Sequence, residues 1–281
     1  MSAHVRRETA LSAQSPVNLA VLRAMRAEGQ RIACLTAYDA SFAQVLDAAG
    51  VDVVLIGDSL GMVIQGGSTT TPVTLDDIVY HSRCVVPSLQ RAFAVADMPF
   101  LSYATRSRAL DAAQRLMQEG GAAMVKLEGG REQARIVEFL STRGVPVCAH
   151  LGLQPQLIHK MGRFRVQGRE AAAAEAMRRD ARLLEDAGAD MLLLECVPAA
   201  LAASITQAAG VPVIGIGAGG EVDGQILVLH DILGISAQAR SGRPPRFVRN
   251  FMQGQPGIAQ AIEQYVAAVR DGSYPAPEHC F

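Results

Sequence analysis

A (β/α)₈ barrel with one helix before its first strand is the fold this sequence predicts, and three observations lead to it. Apolar, β-branched segments of strand length alternate with segments of helical period along most of the 281 residues. Eight such strands can be counted, the number that closes a parallel barrel. Polar residues gather where the strands end, which is where parallel α/β folds bind their ligands.

The elements follow in order. Residues 17–28 have helical period, and RIACLTAYD at 31–39 is the first strand. Ser41 is placed to cap a short helix, FAQVLDAAG. VDVVLI at 51–56 suits a strand buried on both faces, and Gly57 and Gly61 suit a chain turning sharply out of it. Thr74 followed by Asp77 has capping-box spacing for a helix over 74–89, and FAVADMPF at 93–100 is the third strand. A helix at 106–119, strand 124–130, helix 131–143 and strand 145–152 continue the alternation. A polar linker ending in QGR at 167–169 leads to an alanine-rich helix at 170–187, strand 191–198 and a helix at 199–209. Strands at 211–220 and 225–234 complete the eight. An amphipathic helix, 258–270, lies within the last stretch, 241–281. The expectation is one barrel domain over residues 1–281, with the order of residues 1–16 left open; a doubly wound open sheet is the alternative architecture.

Composition narrows the function classes. With 26 basic and 27 acidic residues the net charge is −1, so a nucleic-acid partner is not expected. The longest apolar runs fall short of the roughly 20 residues that span a bilayer, so no membrane partner is expected. The amino-terminal segment has no secretory pattern, and the five cysteines form no CxxC pair; Cys34, Cys148 and Cys196 fall in apolar strands, which suits a reducing compartment. A cytoplasmic enzyme is the expectation. Only Lys126 and Lys160 among the basic residues are lysines, which draws attention to both.

Six strand ends carry polar groups: Tyr38 and Asp39, Asp58 and Ser59, Asp97, Lys126 and Glu128, His150, and Glu195. In a barrel these ends converge on one mouth. Asp58 could instead cap a turn, Asp97 could accept turn hydrogen bonds, and Lys126 and Glu128 could form a mutual ion pair on one strand face. Together, however, Asp58, Asp97 and Glu128 put three carboxylates in one opening, where repulsion is costly without a cation. Hard oxygen donors with no histidine or cysteine spacing favour Mg²⁺ over zinc. Glu195 follows MLLL, where desolvation would raise its pKa and make it a suitable general base unless it pairs with an arginine. Taken alone, His150 reads as a hydrogen-bonded core histidine. GIGAGG at 215–220 satisfies G-x-G-x-x-G, but no helix opens on it, so close backbone packing is the better reading.

The segments TAYD, GDSLGM, TTPVTLDDIVYH, ADMPF, MVKLEGG, VPVCAHLGLQPQ, VQGR, LLLECVP, PVIGIGAG and DGQILVLHD together resemble the ketopantoate hydroxymethyltransferase family, from about residue 31 to the carboxyl end. The resemblance implies a (β/α)₈ barrel and Mg²⁺. It implies hydroxymethyl transfer from 5,10-methylenetetrahydrofolate to 3-methyl-2-oxobutanoate, giving 2-dehydropantoate for pantothenate biosynthesis through an enolate. By matching motifs, Asp58 and Asp97 would bind metal and substrate, with Glu128 a further metal-site carboxylate. Ser59 and Lys126 would bind the keto acid, Glu195 would accept the proton, and His150 and Tyr38 would stand nearby as catalytic groups. A homodecamer is implied in the same way. Two stretches depart from the family pattern: LIHKMGRFRVQGR at 157–169, where a glycine pair is usual, and the longer segment at 235–247. Alternatives are a Mg²⁺-dependent lyase or mutase of the phosphoenolpyruvate mutase and isocitrate lyase type, whose lysine-lysine-cysteine-glycine-histidine loop is missing here, and a non-catalytic paralogue that binds the keto acid.

Overall fold

In a computed structural model the chain forms a closed barrel whose strands follow in sequence order, each parallel to its neighbours, with the eighth paired to the first. The structure describes residues 16–237 and 244–281. The expectation left open for residues 1–16 therefore lies, but for the last residue, outside the described residues. The strands are β1 Ile32–Thr36, β2 Val53–Ile56, β3 Phe93–Asp97, β4 Met124–Glu128, β5 Val147–Gly152, β6 Met191–Glu195, β7 Val213–Ile216 and β8 Gly224–Leu227. All are short, and nearly every residue in them is buried. One strand face packs on the barrel interior and the other on the helical shell, so the apolar residues run continuously rather than alternating.

Local chemistry sets the helix starts. Asn18 caps the helix Leu19–Ala27 by accepting from the Val21 N–H at 3.1 Å. Thr74 and Asp77 form the expected capping box at the start of Leu75–Val85. The helix Ala40–Ala48 is capped by Asp39, whose Oδ1 accepts from the Phe42 N–H at 3.0 Å, and not by Ser41 as expected. The expected helix at 106–119 is α-helical over Arg106–Gln114 and continues as a wider π turn over Arg115–Glu119.

The expected eighth strand, 225–234, is the largest difference. It begins at Gly224 and stops at Leu227, and Leu229–Ile232 is one turn of helix. Thr36 Oγ1, at the end of β1, accepts the Leu229 N–H at 3.1 Å and turns the chain there. A short apolar run does not distinguish strand from buried helix by period alone. Gly224 is required at the seam, since a Cβ there would lie 2.5 Å from the Ile32 carbonyl oxygen.

The amino-terminal end of the barrel is covered. Segment 16–30 crosses it, with the Val17 N–H donating to the Arg91 carbonyl, Arg23 paired with Asp190, and Arg26 paired with Asp223. Asp52, fully buried beside β2, accepts from the Ala33 N–H and meets Arg91 at 2.5 Å. From the carboxyl-terminal helix Ile258–Asp271, Tyr265 donates its hydroxyl to the carbonyls of Cys34 and Gln225, on the two strands that close the barrel. Solvent reaches the polar strand ends from the opposite mouth. Among the described residues no helix is long and apolar enough to cross a membrane.

Candidate active site at the carboxyl-end mouth

The carboxyl ends of the strands open into a cavity of about 1030 Å³, within the range of small-molecule sites. Asp58, Ser59, Asp97, Lys126, Glu128, His150 and Glu195 all line it. Residues separated by as many as 137 positions in sequence thus meet because β2 to β6 are consecutive barrel staves. Register puts them at one height: Asp97 is opposite Lys126, Glu128 is opposite His150, and Gly152 is opposite Glu195.

Asp58, Asp97, Lys126, Glu128 and His150 are each at most 4% exposed, so their charges act with little screening by water. Asp97 sits between neighbours: its Oδ2 accepts the Asp58 backbone N–H at 2.9 Å, and its Oδ1 lies 2.7 Å from Lys126 Nζ. The ammonium is the partner of this buried oxygen, whose second lone pair leaves it able to accept a further ligand. Lys126 therefore pairs with Asp97 on the next strand and not with Glu128 on its own. Burial pushes the lysine down, but Asp97, Glu128 and Asp58 outweigh it and hold the ammonium above its ordinary range. Burial, then Asp97 and Glu128, drive the Asp58 carboxyl well above the usual range despite Lys126.

This donor set fits a hard divalent cation. Carboxylate oxygens dominate it, and Asp58, driven up by burial and by Asp97 and Glu128, is electrostatically strained in a way that positive charge would relieve. Among the described residues, no three carboxylate, histidine or cysteine side chains form a ready-made ligand shell. Mg²⁺ does not require one, because it keeps several waters and takes only one or two protein carboxylates directly.

His150 bridges the acidic cluster to Glu195. Its Nδ1 is 3.5 Å from Glu128 Oε1 and 3.4 Å from Lys126 Nζ, and its Nε2 is 3.4 Å from Glu195 Oε2. Burial and Lys126 push the imidazole down, but Glu128 and Glu195 on its two sides outweigh them and carry it up to about 9. Such a histidine is an imidazolium at neutral pH. With an unfolded value near 6.5, its contribution to stability is complete below that pH and is lost as pH rises through about 9. In chelator-treated protein, a proton NMR titration should place the His150 midpoint near 9, and a midpoint at about 6.5 would refute this arrangement.

Glu195, at the end of β6, is mostly but not fully removed from water, with a side chain 16% exposed. It is less desolvated than the run MLLL suggests, and its partner is a histidine rather than an arginine. Its backbone is fixed from both sides: the Leu153 N–H donates to the Glu195 carbonyl at 2.8 Å, and the Cys196 N–H donates to Ile216 at 2.9 Å. Cys196 then turns in the left-handed region at φ 49°, a strained conformation for a residue with a Cβ. Gly152 is needed opposite, because a Cβ there would lie 2.2 Å from the Glu195 carbonyl oxygen.

Tyr38 stands behind this wall and does not itself line the cavity. Its hydroxyl is 2.8 Å from Ser59 Oγ, and burial holds the phenol far above its ordinary range, so it remains protonated. The GIGAGG segment serves packing, since a Cβ on Gly217 would lie 2.7 Å from the Phe247 ring. The departing loop at 157–169 forms the outer wall, where residues 163–170 line the cavity. Of the departing segment at 235–247, Ser236, Ala237 and residues 245–247 also line it, while 238–243 lie outside the described residues. Gln156 and Tyr103, which sequence reasoning passed over, are buried and bonded to the carboxylate cluster.

Residues 16–277 match the family model described as ketopantoate hydroxymethyltransferase. Curated relatives include 3-methyl-2-oxobutanoate hydroxymethyltransferase of Alkalilimnicola ehrlichii, 59% identical over 95% of both chains. The enzyme of the same name from Halorhodospira halophila is 58% identical over 94% of both chains. Among solved structures, a putative phosphonomutase from Burkholderia cenocepacia aligns with a TM-score of 0.61 at 18% identity, over 80% of this chain and 98% of its own. A phosphonopyruvate hydrolase in complex with oxalate and Mg²⁺ aligns at 0.58 and 12% identity, over 92% of this chain and 99% of its own. At that identity the likeness is one of fold.

Proposed function

The chain belongs to the ketopantoate hydroxymethyltransferase family, and on that premise we propose that it transfers a one-carbon unit from 5,10-methylenetetrahydrofolate to 3-methyl-2-oxobutanoate. The products are 2-dehydropantoate and tetrahydrofolate, with water supplying the new hydroxyl oxygen. The observation that carries this reading is the convergence of Asp58, Asp97, Lys126, Glu128, His150 and Glu195 on one cavity. A cation set, a cation-paired anion subsite and a base are the parts that proton abstraction beside a carbonyl requires.

Asp58 and Asp97, with Glu128 close by, would hold Mg²⁺. When bound there, the ion supplies Lewis-acid polarisation of the keto group and lowers the cost of negative charge developing as C3 loses its proton. Lys126 and Ser59 bind the keto acid, the ammonium through the carboxylate, and so fix the direction in which C3 faces. Glu195 removes the C3 proton, typically a contribution of about 10²- to 10⁴-fold in rate. His150, an imidazolium between Glu128 and Glu195, orients the base, and Tyr38 orients Ser59. The carbanionic C3 then bonds to the methylene carbon as one of that carbon's two bonds to folate nitrogen breaks; water replaces the other, leaving its hydroxyl on the carbon, and the C3 proton and the remaining proton of water end on the two freed nitrogens. The outer cavity, between residues 163–170 and 245–247, is the space for that larger co-substrate. A cytoplasmic location and a homo-oligomer, as a decamer, belong to the same proposal.

Proton NMR of 3-methyl-2-oxobutanoate in D₂O with the protein and Mg²⁺ tests it. The expected result is loss of the C3 proton signal with stoichiometric formation of 2-dehydropantoate when methylenetetrahydrofolate is added. The absence of both exchange and product under those conditions would overturn the proposal.

A further inference from the structure

Gln156 sits one turn beyond β5, between Pro155 and Leu157, and is 2% exposed. Its carboxamide is fully used. Nε2 donates to Asp58 Oδ2 at 2.9 Å and to the Met98 carbonyl at 3.0 Å, and Oε1 accepts the Tyr103 hydroxyl at 2.6 Å. The Gln156 backbone N–H donates to Glu128 Oε2 at 3.1 Å. Tyr103 in turn accepts from the Glu128 backbone N–H at 3.3 Å.

The directions of these bonds leave no freedom. Two acceptors on one side of the amide require the NH₂ there, so Oε1 must face Tyr103, whose only proton then points to Gln156. One residue thereby ties the ends of β2, β3 and β4 together. It occupies one oxygen of Asp58 and one of Glu128, leaving Asp58 Oδ1 and Glu128 Oε1 on the remaining sides.

We propose that Gln156, backed by Tyr103, is a positioning residue whose amide sets the orientation in which Asp58 presents its other oxygen to a divalent cation, while its main-chain N–H holds Glu128 beside it. This rests on the metal-site reading above and deepens it. Three buried carboxylates within one opening repel each other, and an untethered Asp58 would relieve the strain by rotating away. A neutral donor counters that without adding the positive charge that would compete with the cation. Burial alone would require only that the glutamine be bonded; it does not account for the amide going to one carboxylate of the cation set while the main-chain N–H of the same residue goes to a second.

The experiment is a titration of the protein, without substrates, with Mn²⁺ followed by electron paramagnetic resonance, and with Mg²⁺ in competition. Gln156→Met is expected to weaken binding by about 10- to 100-fold, the usual effect of removing a group that orients a metal ligand. Tyr103→Phe is expected to weaken it less, and the double variant should bind as Gln156→Met does, because the tyrosine acts through the amide. Turnover of Gln156→Met should recover at raised Mg²⁺, which no loss of the base would allow. Thermal melts in chelator verify folding, and if Gln156→Met does not fold, Tyr103→Phe, which keeps the glutamine, carries the test. Unchanged affinity in the folded variants, alongside a loss in Asp58→Asn, would overturn the inference alone. Additive effects of the two substitutions would overturn Tyr103's part in it. Unchanged affinity in Asp58→Asn would overturn the metal-site reading and this inference with it.

Discussion

Glu195→Gln is expected to lower kcat by about 10²- to 10⁴-fold while leaving Mg²⁺ affinity and the KM for 3-methyl-2-oxobutanoate within about two-fold of the parent. The amide has the size of the carboxylate but cannot take a proton at neutral pH. The surroundings give it no reason to move. Glu195 is placed by the main-chain bonds Leu153 N–H to Glu195 carbonyl and Cys196 N–H to Ile216 carbonyl, not by its side chain; His150 Nε2, 3.4 Å away, can still donate to an amide oxygen, although the amide no longer supplies the charge that helps keep the ring protonated. The substrate-directed interaction that is lost, acceptance of the C3 proton, is made in the transition state, so the loss should fall on kcat and kcat/KM together. Steady-state kinetics and the C3 exchange reaction both read it. A variant retaining more than a tenth of the parent rate would remove Glu195 from the role of base and move attention to His150.

Much of this site could be anticipated from the sequence because a parallel barrel converts order along the chain into position around one mouth. Asp58, Asp97, Lys126, Glu128, His150 and Glu195 are each polar groups at the end of an apolar run, and once the fold class is fixed their convergence follows. What could not be anticipated is which neighbours they choose. Lys126 and Glu128 share a strand face, yet the ammonium pairs with Asp97 across the β3–β4 register, because adjacent staves bring side chains closer than the two-residue repeat along one strand. His150 looked like an ordinary core residue since nothing in VPVCAH reports that Glu128 and Glu195 stand on either side of its ring. Gln156 and Tyr103 escaped attention because both are uncharged and lie in loops; the one available signal was a glutamine directly after Pro155 at a strand end, a place where a buried amide must find partners. The end of β8 was misplaced for a similar reason. The bond that stops it, from Leu229 to Thr36, joins residues 193 positions apart.

Lys126→Met should destabilise the metal-free protein by about 3–5 kcal/mol, the range for leaving buried charge without its partner. In a chain of this size that lowers Tm by roughly 6–20 °C. Methionine fills the lysine's space, so the deficit is electrostatic rather than a cavity. The ammonium is the cation standing among Asp58, Asp97 and Glu128, and its removal leaves carboxylates that are at most 4% exposed facing one another. The pH dependence separates this cause from a packing defect. Asp58 already titrates above its ordinary range through burial and the neighbouring acids, and without Lys126 it should rise further. An acid whose folded pKa exceeds its unfolded value costs stability once pH climbs above the unfolded value, and the cost is removed by protonation as pH falls. The Tm deficit should therefore shrink from pH 8 towards pH 5, where a packing defect would stay constant. Millimolar Mg²⁺ should shrink it as well at pH 8, since the cation restores the charge that the substitution removes. Binding of the keto acid should not recover with Mg²⁺ if, as proposed, Lys126 pairs with the substrate carboxylate itself. Calorimetric melts across pH with chelator or Mg²⁺ distinguish these outcomes, and a deficit indifferent to both variables would remove Lys126 from its place as counter-charge to the cluster.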